Sequence, residues 1–379
     1  MKILKKIILT VLITIGKIFL NLIYLIIKIF PIKNQILFMS RQSNNKSLDF
    51  KMLEDKLKEK DKDIKMIFLC QMLEKDIKSR IKYIIYIFKS MYYLATSKVC
   101  IVDTYCIPVS ILKHKKRLKI IQIWHASGAI KKFGFQVVDK KEGSSSLISK
   151  LMCMHKNYNY VISPSELTKQ FFSEAFNIEE DKIIKFGLPR LEYIINKKYD
   201  KSEQIYNEYP NLKEKENIVY IPTFRKNQMT DLTEILKYDL DREKYNLIIS
   251  LHPLDETEVP EQYKIDKKYT SFDLIKIADY IITDYSALSI EASILEKPIF
   301  IYLYDYEEYS KSRGINVKLD KELYTFTSKN INDIMSKIEN KDYDIKEIID
   351  FKNKYIEIDP KETTDKLADF VFSLYEMEK

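Results

Sequence analysis

Beyond Lys2 and Lys5, the first thirty positions are apolar except at Lys6, Thr10, Thr14, Lys17, Asn21, Tyr24 and Lys28. Steps of three and four place these seven on one narrow stripe of a helix, since successive residues turn by ~100°. The rest is Ile, Leu, Val and Phe. A membrane span wants ~20 apolar residues. Lys17 falls in the middle of this run, where a lysine costs ~2.5–3.5 kcal/mol on insertion. The pattern therefore predicts a helix lying in a membrane interface with its basic stripe at the headgroups, in preference to a span or a helix docked on the protein itself. No small-residue cleavage site follows, which argues against a cleaved signal peptide.

Beyond residue 32 the pattern alternates. Short apolar runs at 36–40, 64–69, 99–102, 120–124, 160–162 and 182–186 read as strands, and 48–60, 81–95 and 166–176 as helices. Residues 193–216 are polar with little periodicity, and the alternation then resumes with strands at 218–221, 247–250, 280–283 and 299–302 and a closing helix at 361–376. This order predicts an α/β protein with parallel sheets covered by helices. The expected architecture is two Rossmann-like domains facing a cleft (GT-B-like), preceded by an amphipathic helix. Its limits are 1–32 for the membrane-associating helix, 33–195 for the first domain and 213–379 for the second.

A length of 379 residues, 46% of them hydrophobic, suits two domains with sizeable cores. The net charge of +8 changes the picture through its location. Lys2, Lys5, Lys6, Lys17, Lys28, Lys33, Arg41 and Lys46 account for all of it, and the other 55 basic residues match 55 acidic ones. A nucleic-acid partner is not expected, because such a binder carries its positive charge on a folded domain. A basic, greasy N-terminus points to an anionic membrane surface instead. Cys70, Cys100, Cys106 and Cys153 show no CxxC spacing and read as small core residues. With six glycines the chain has neither a GxGxxG nor a P-loop. The acidic pairs at 61/63, 239/241 and 342/344 read as solvated loops, and no metal site or cofactor is expected.

Four histidines remain as candidate chemistry. His114 and His155 sit in polar or basic stretches and are expected at the surface. His125 and His252 each follow directly on an apolar strand, at the carboxyl edge where open parallel sheets bind ligands. Two structural histidines would look the same by position alone. A third segment tips the balance. Residues 280–292 run from a strand into a helix, with Asp284 or Ser286 as N-cap and Ser289 in the first turn. Such a helix start holds phosphate without glycine. Ser286 can donate its hydroxyl, and Glu291 can accept from ribose hydroxyls.

The motifs SRQSN (40–44), QIWHASGAIKKFG (122–134), FGLPR (186–190), YIPTFR (220–225), LHPL (251–254), TDYS (283–286), KPI (297–299) and YDYEEY (304–309) then occur in one order. Together they resemble the CDP-glycerol glycerophosphotransferases of teichoic acid synthesis. Many members read WHGTP where this chain reads WHASG (124–128), which leaves donor and acceptor more open than the family. The resemblance implies that His125 is the base for the acceptor's terminal hydroxyl, a task suited to an imidazole with an ordinary pKa of ~6.5. It implies that His252, Arg225 and the helix start at Asp284, Ser286 and Ser289 hold the donor pyrophosphate, with Glu291 on the ribose. Lys131, Lys132 and Arg190 become candidates for the anionic acceptor, with a plain surface role open to the lysines. Trp124 reads as packing beside His125. The first domain would take the acceptor and the second the CDP donor.

The partners so implied are CDP-glycerol or CDP-ribitol, a lipid-linked polyol-phosphate or saccharide acceptor, and an anionic membrane surface. The implied location is the cytoplasmic face of the cell membrane, as a peripheral protein. Competing readings are a nucleotide-sugar glycosyltransferase of the same fold and a catalytically inactive membrane scaffold of a polymer-export assembly.

Overall fold

The computed structural model describes residues 2–73, 76–225 and 229–377; of the helical side chains, those of Lys2, Ile3 and Lys5 lie outside the description. The chain divides into two compact units, residues 1–125, 133–190 and 362–379 in one and 126–132 and 191–361 in the other.

The first unit carries six parallel strands, β1 (Gln35–Ser40), β2 (Lys65–Cys70), β3 (Val99–Val102), β4 (Lys119–Gln122), β5 (Tyr160–Ser163) and β6 (Ile183–Lys185), in the order β2-β1-β3-β4-β5-β6. β1 and β3 are buried along their whole length, as the central strands of a parallel sheet covered on both faces should be. Helix α1 (Lys2–Ile27) precedes the sheet; α2 (Leu48–Lys60) follows β1 and α3 (Ile77–Thr96) follows β2. Ser47 caps α2 by accepting from the Phe50 amide, and Asp76 caps α3 by accepting from Ser79.

The closing helix, Thr363–Glu376, returns to this unit, although its sequence position had assigned it to the second domain. Leu367, Val371, Leu374 and Tyr375 recur at helical spacing and share one core with Ile36, Phe38, Phe50 and Leu53. Lys56–Asp365 and Lys60–Asp369 ion pairs fix it alongside α2.

The second unit carries five parallel strands, β7 (Glu216–Tyr220), β8 (Tyr245–Ile249), β9 (Tyr280–Thr283), β10 (Ile299–Tyr302) and β11 (Thr327–Ser328), in the order β11-β10-β9-β7-β8. The polar stretch expected to link the domains contributes short helices, Ser202–Glu208 and Asn211–Glu214, to this unit. Residues 126–132 also belong here, against the expected limits. They pair as an added antiparallel segment with 314–316: the Lys132 amide donates to Gly314 O at 3.1 Å, and the Asn316 amide to Ile130 O at 2.8 Å.

Helix α1 corrects the sequence reading in its orientation. Its polar stripe faces the first unit, not headgroups. Lys17 Nζ donates to Leu151 O at 3.0 Å, and Asn21 Nδ2 to Ile111 O at 3.0 Å. Tyr24 OH meets His114 Nδ1 at 2.9 Å, and Lys28 Nζ donates to Lys113 O at 2.9 Å. The unit offers carbonyls that need donors, and the stripe supplies them. The apolar residues of α1, among them Leu12, Ile15, Phe19 and Leu22, are left exposed. Lys6–Ile27 is long and apolar enough to cross a membrane by length and composition.

His114 and His155 also differ from expectation. His155 is buried, with Nδ1 3.1 Å from Tyr158 OH, and burial pushes its pKa down to about 3. Burial likewise lowers His114 to about 4, against the upward pull of the bond that its Nε2 donates to Val109 O at 2.7 Å. Both act as neutral packing groups.

Candidate active site

In an open parallel sheet the binding edge lies beyond the strand carboxyl ends, where the strand order reverses. In the first unit that switch falls between β1 and β3, whose following residues are Arg41 and Asp103. Thr104 Oγ1 accepts from the Arg41 amide at 3.2 Å and bridges the two strand ends. His125 stands one strand further on, beyond β4. Its Nδ1 lies 3.0 Å from the main-chain oxygen of Asp103. A carbonyl only accepts, so Nδ1 carries the ring hydrogen and Nε2 the lone pair.

The backbone at His125 is held from two sides. Trp124 adopts φ 60°, a costly left-handed conformation for a bulky residue. Gln122 Oε1 stabilises it by accepting from the Trp124 amide at 2.8 Å. The indole stacks on Phe133 at 4.5 Å and lies against the His125 ring at 4.1 Å. Arg190 Nη1 donates to His125 O at 2.7 Å, while its Nε bonds Asp49 at 2.9 Å. With the Arg190 side chain 12% exposed and that of Asp49 2%, this is a buried clamp behind the histidine. Gly134 ends the motif at φ 57°, where a Cβ would come 2.1 Å from Ala175 O. Asp103 itself is buried; burial raises its carboxyl to about 7, and its Oδ1 has no hydrogen-bond partner among the described residues.

In the second unit the switch falls between β7 and β9. Asp284, beyond β9, is buried and its Oδ1 accepts from the Thr223 amide at 2.9 Å. Its other oxygen pairs with Arg225 Nη1 at 3.1 Å. Arg225 Nε and Nη2 both donate to Asp305 at 3.1 Å, and Nη1 to Thr223 O at 3.2 Å. Tyr304, Tyr309 and Tyr285 surround the guanidinium at 5.0, 5.5 and 6.0 Å. Arg225 thus ties together the residues that follow β7, β9 and β10.

His252, beyond β8, stacks on Phe224 at 4.9 Å, and its Nδ1 accepts from the Leu254 amide at 3.2 Å. Its neutral form therefore carries hydrogen on Nε2, the opposite tautomer to His125. Partial burial and the Lys131 charge lower its pKa against the pull of Asp255.

The helix start differs in detail from expectation. Leu288–Ala292 is only five residues long with Ala287 at its N-cap, and Ser286 Oγ accepts from the Leu288 amide at 3.2 Å. Asp284 turns away from the cap toward Arg225. Ser289 is buried, donating to Ser286 O at 2.8 Å, and Glu291 accepts from the Ser127 amide at 3.1 Å. The structure thus gathers Lys131, Thr223, Arg225, Asp284 and Asp305 at one edge of the second unit. It sets Arg190 beside His125 in the first. Sequence reasoning missed Asp49, Asp103 and Asp305. The rule that selected the histidines, a polar residue at the end of an apolar strand, also selects Asp103.

Two parallel-sheet α/β units, each with a reversal of strand order at its binding edge, place the chain in the GT-B-like fold class. Residues 22–373 match the family described as CDP-Glycerol:Poly(glycerophosphate) glycerophosphotransferase, and the chain belongs to that family. It is 31% identical over 355 residues to the teichoic acid ribitol-phosphate primase of Bacillus spizizenii, covering 90% of this chain and 91% of that protein. It is 33% identical over 241 residues to the teichoic acid glycerol-phosphate primase of Bacillus subtilis strain 168, covering 61% and 62%. Among solved structures, the wall teichoic acid polymerase TagF superposes with a TM-score of 0.72 at 20% identity, over 92% of this chain and 90% of that one.

Proposed function

We propose that the chain transfers glycerol phosphate from CDP-glycerol to a membrane-linked teichoic-acid-like acceptor and releases CMP. The observation that carries the reading is the pair of opposite tautomers. His125 Nε2 takes the proton of the acceptor's terminal hydroxyl, and the hydroxyl oxygen attacks the phosphorus that bears glycerol. The bond from that phosphorus to the CMP oxygen breaks. His252 offers Nε2–H to a donor phosphate oxygen and offsets the charge that builds on the leaving CMP. Ser286 supports the same phosphates and Glu291 the ribose side. CDP-ribitol is the second reading, favoured by the ribitol-phosphate primase that matches along most of the chain. Purified protein incubated with acceptor and CDP-glycerol, CDP-ribitol or UDP-sugars should release CMP from CDP-glycerol and form a phosphodiester. UDP release with a glycosidic product would overturn the reading.

The acceptor's membrane location rests on a second surface. Beside the exposed apolar face of α1, helix α3 exposes Ile77, Ile81, Ile84, Ile85 and Phe88. Lys78, Arg80, Lys82 and Lys89 are exposed among them, and α3 has no acidic residue. Apolar burial plus basic charge is the recognition chemistry of an anionic bilayer surface. The cytoplasmic face of the cell membrane is the location this reading gives. Because the α1 stripe is bonded to the first unit, deleting α1 would also strip that unit. Glutamate at Leu12, Phe19 and Leu22 tests the surface with less damage. We expect the triple variant to keep its fold by circular dichroism and to lose most cosedimentation with anionic vesicles. Undiminished binding would place the anchor elsewhere.

A further inference from the structure

Arg225 is the residue whose charge and motif suggest a pyrophosphate ligand, yet it is bonded to two carboxylates, and that cluster of one cation and two anions sums to a negative charge. A CDP-polyol brings two more negative charges to the same edge. Its binding there requires a cation aimed outward from the cluster. Residues 126–132, added to this unit by pairing with 314–316, supply one. Lys131 Nζ approaches Thr223 Oγ1 at 3.4 Å, which sets its ammonium at the edge where Asp284 and Arg225 meet. It lies 5.9 Å from the Tyr309 ring centroid, and its charge reaches His252, where it adds a smaller downward pull to burial and opposes Asp255. Thr223 is itself fixed, since its amide donates to Asp284. Lys132 is held in that paired segment through its main chain, its amide donating to Gly314 O and its carbonyl accepting from Arg313 Nε. Of the two adjacent lysines, Lys131 is the one whose ammonium has a contact at the Asp284–Arg225 edge.

Resting on the transferase reading above, we propose that Lys131 binds the donor's pyrophosphate together with His252, and that it belongs to the nucleotide side of the reaction and not to acceptor recognition. Its ammonium supplies the positive charge that the Arg225 cluster lacks.

The test is donor affinity measured by calorimetry with CDP-glycerol and CDP-ribitol, on the full chain. K131M should weaken binding of the donor by roughly 10- to 100-fold, the loss expected for one charge-assisted hydrogen bond. K131R should stay within a few-fold of the native chain. Wild-type affinity in K131M, with a raised acceptor KM instead, overturns the proposal and leaves the transferase reading standing. A native chain that binds neither CDP-polyol overturns both. A second measurement does not depend on the variants folding: saturating CDP-glycerol should shield Lys131 of the native chain from amine acylation, read by mass spectrometry. Equal acylation with and without donor overturns the proposal.

Discussion

Alanine at His125 should lower turnover by ~10²–10⁴-fold, the usual worth of a general base, while CDP-glycerol affinity stays within a few-fold of the native value. The separation follows from geometry. The Asp103 carbonyl fixes hydrogen on Nδ1, so Nε2 faces the reaction as an acceptor and has no hydrogen to give a phosphate in the neutral ring. Its partner in the proposed step is the acceptor hydroxyl. His252 has the reverse arrangement, a Nε2–H donor suited to phosphate, so H252A should damage affinity and rate together. Kinetics on both variants with circular dichroism as the fold control give the answer. Near-native turnover in H125A, or a rate lost only in proportion to lost donor binding, would falsify the base assignment. The fold of H125A should survive, because the Arg190 clamp grips the main-chain oxygen of residue 125 and the Trp124 stack lies outside the substituted ring.

The parts legible in the sequence were those with a local physical signature. Apolar runs of three to six residues marked every strand except the two-residue β11, and the two histidines stood out because each directly followed such a run. What pairs over long distance left no local mark. The polar stripe of α1 was visible, but a stripe of Lys, Asn and Tyr satisfies headgroups or protein carbonyls equally well, and only the fold shows Ile111, Lys113 and Leu151 offering the carbonyls. The closing helix was visible as amphipathic, but amphipathicity does not name the sheet it covers. The segment 126–132 reads as a continuation of the His125 loop, and its pairing with 314–316 spans about half the chain. The motif lysine Lys297 shows how a family-like residue can be structural: its ammonium is bonded to Lys276 O at 2.6 Å and Ala278 O at 2.7 Å, holding the carbonyl end of the helix Ser271–Ile277. Asp49 and Arg190 lie 141 residues apart and gave no joint signal.

Arg225→Ala should lower the stability of the second unit by about 3–5 kcal/mol, since removing one member of a buried ion cluster leaves its partners uncompensated. The side chains of Arg225 and Asp284 are 9% and 1% exposed, so water cannot take over the solvation of Asp284. Asp305, at 21%, has a partial escape to solvent. For a unit of this size, about 2–4 °C of melting temperature accompanies each kcal/mol, so a fall of roughly 6–20 °C is expected. Donor affinity should fall as well, because the residues beyond β7, β9 and β10 lose the guanidinium that joins them. Ser286→Ala separates the two effects. It removes the hydroxyl proposed to meet the donor phosphates without touching the ion cluster, and should weaken CDP-glycerol binding with a fall in melting temperature well below that of Arg225→Ala, since only the contact with the Leu288 amide is lost. Arg225→Lys should recover little, since a single ammonium cannot reproduce the two-pronged contact with Asp305 while also reaching Asp284. Arg225→Met combined with Asp284→Asn and Asp305→Asn should melt closer to the native chain than Arg225→Ala does, because no buried charge is then left unpaired. Thermal unfolding of the four chains reads out the cluster. An Arg225→Ala chain that melts like the native one but binds donor weakly would show that the guanidinium serves the phosphates directly and that its carboxylate partners are not dependent on it.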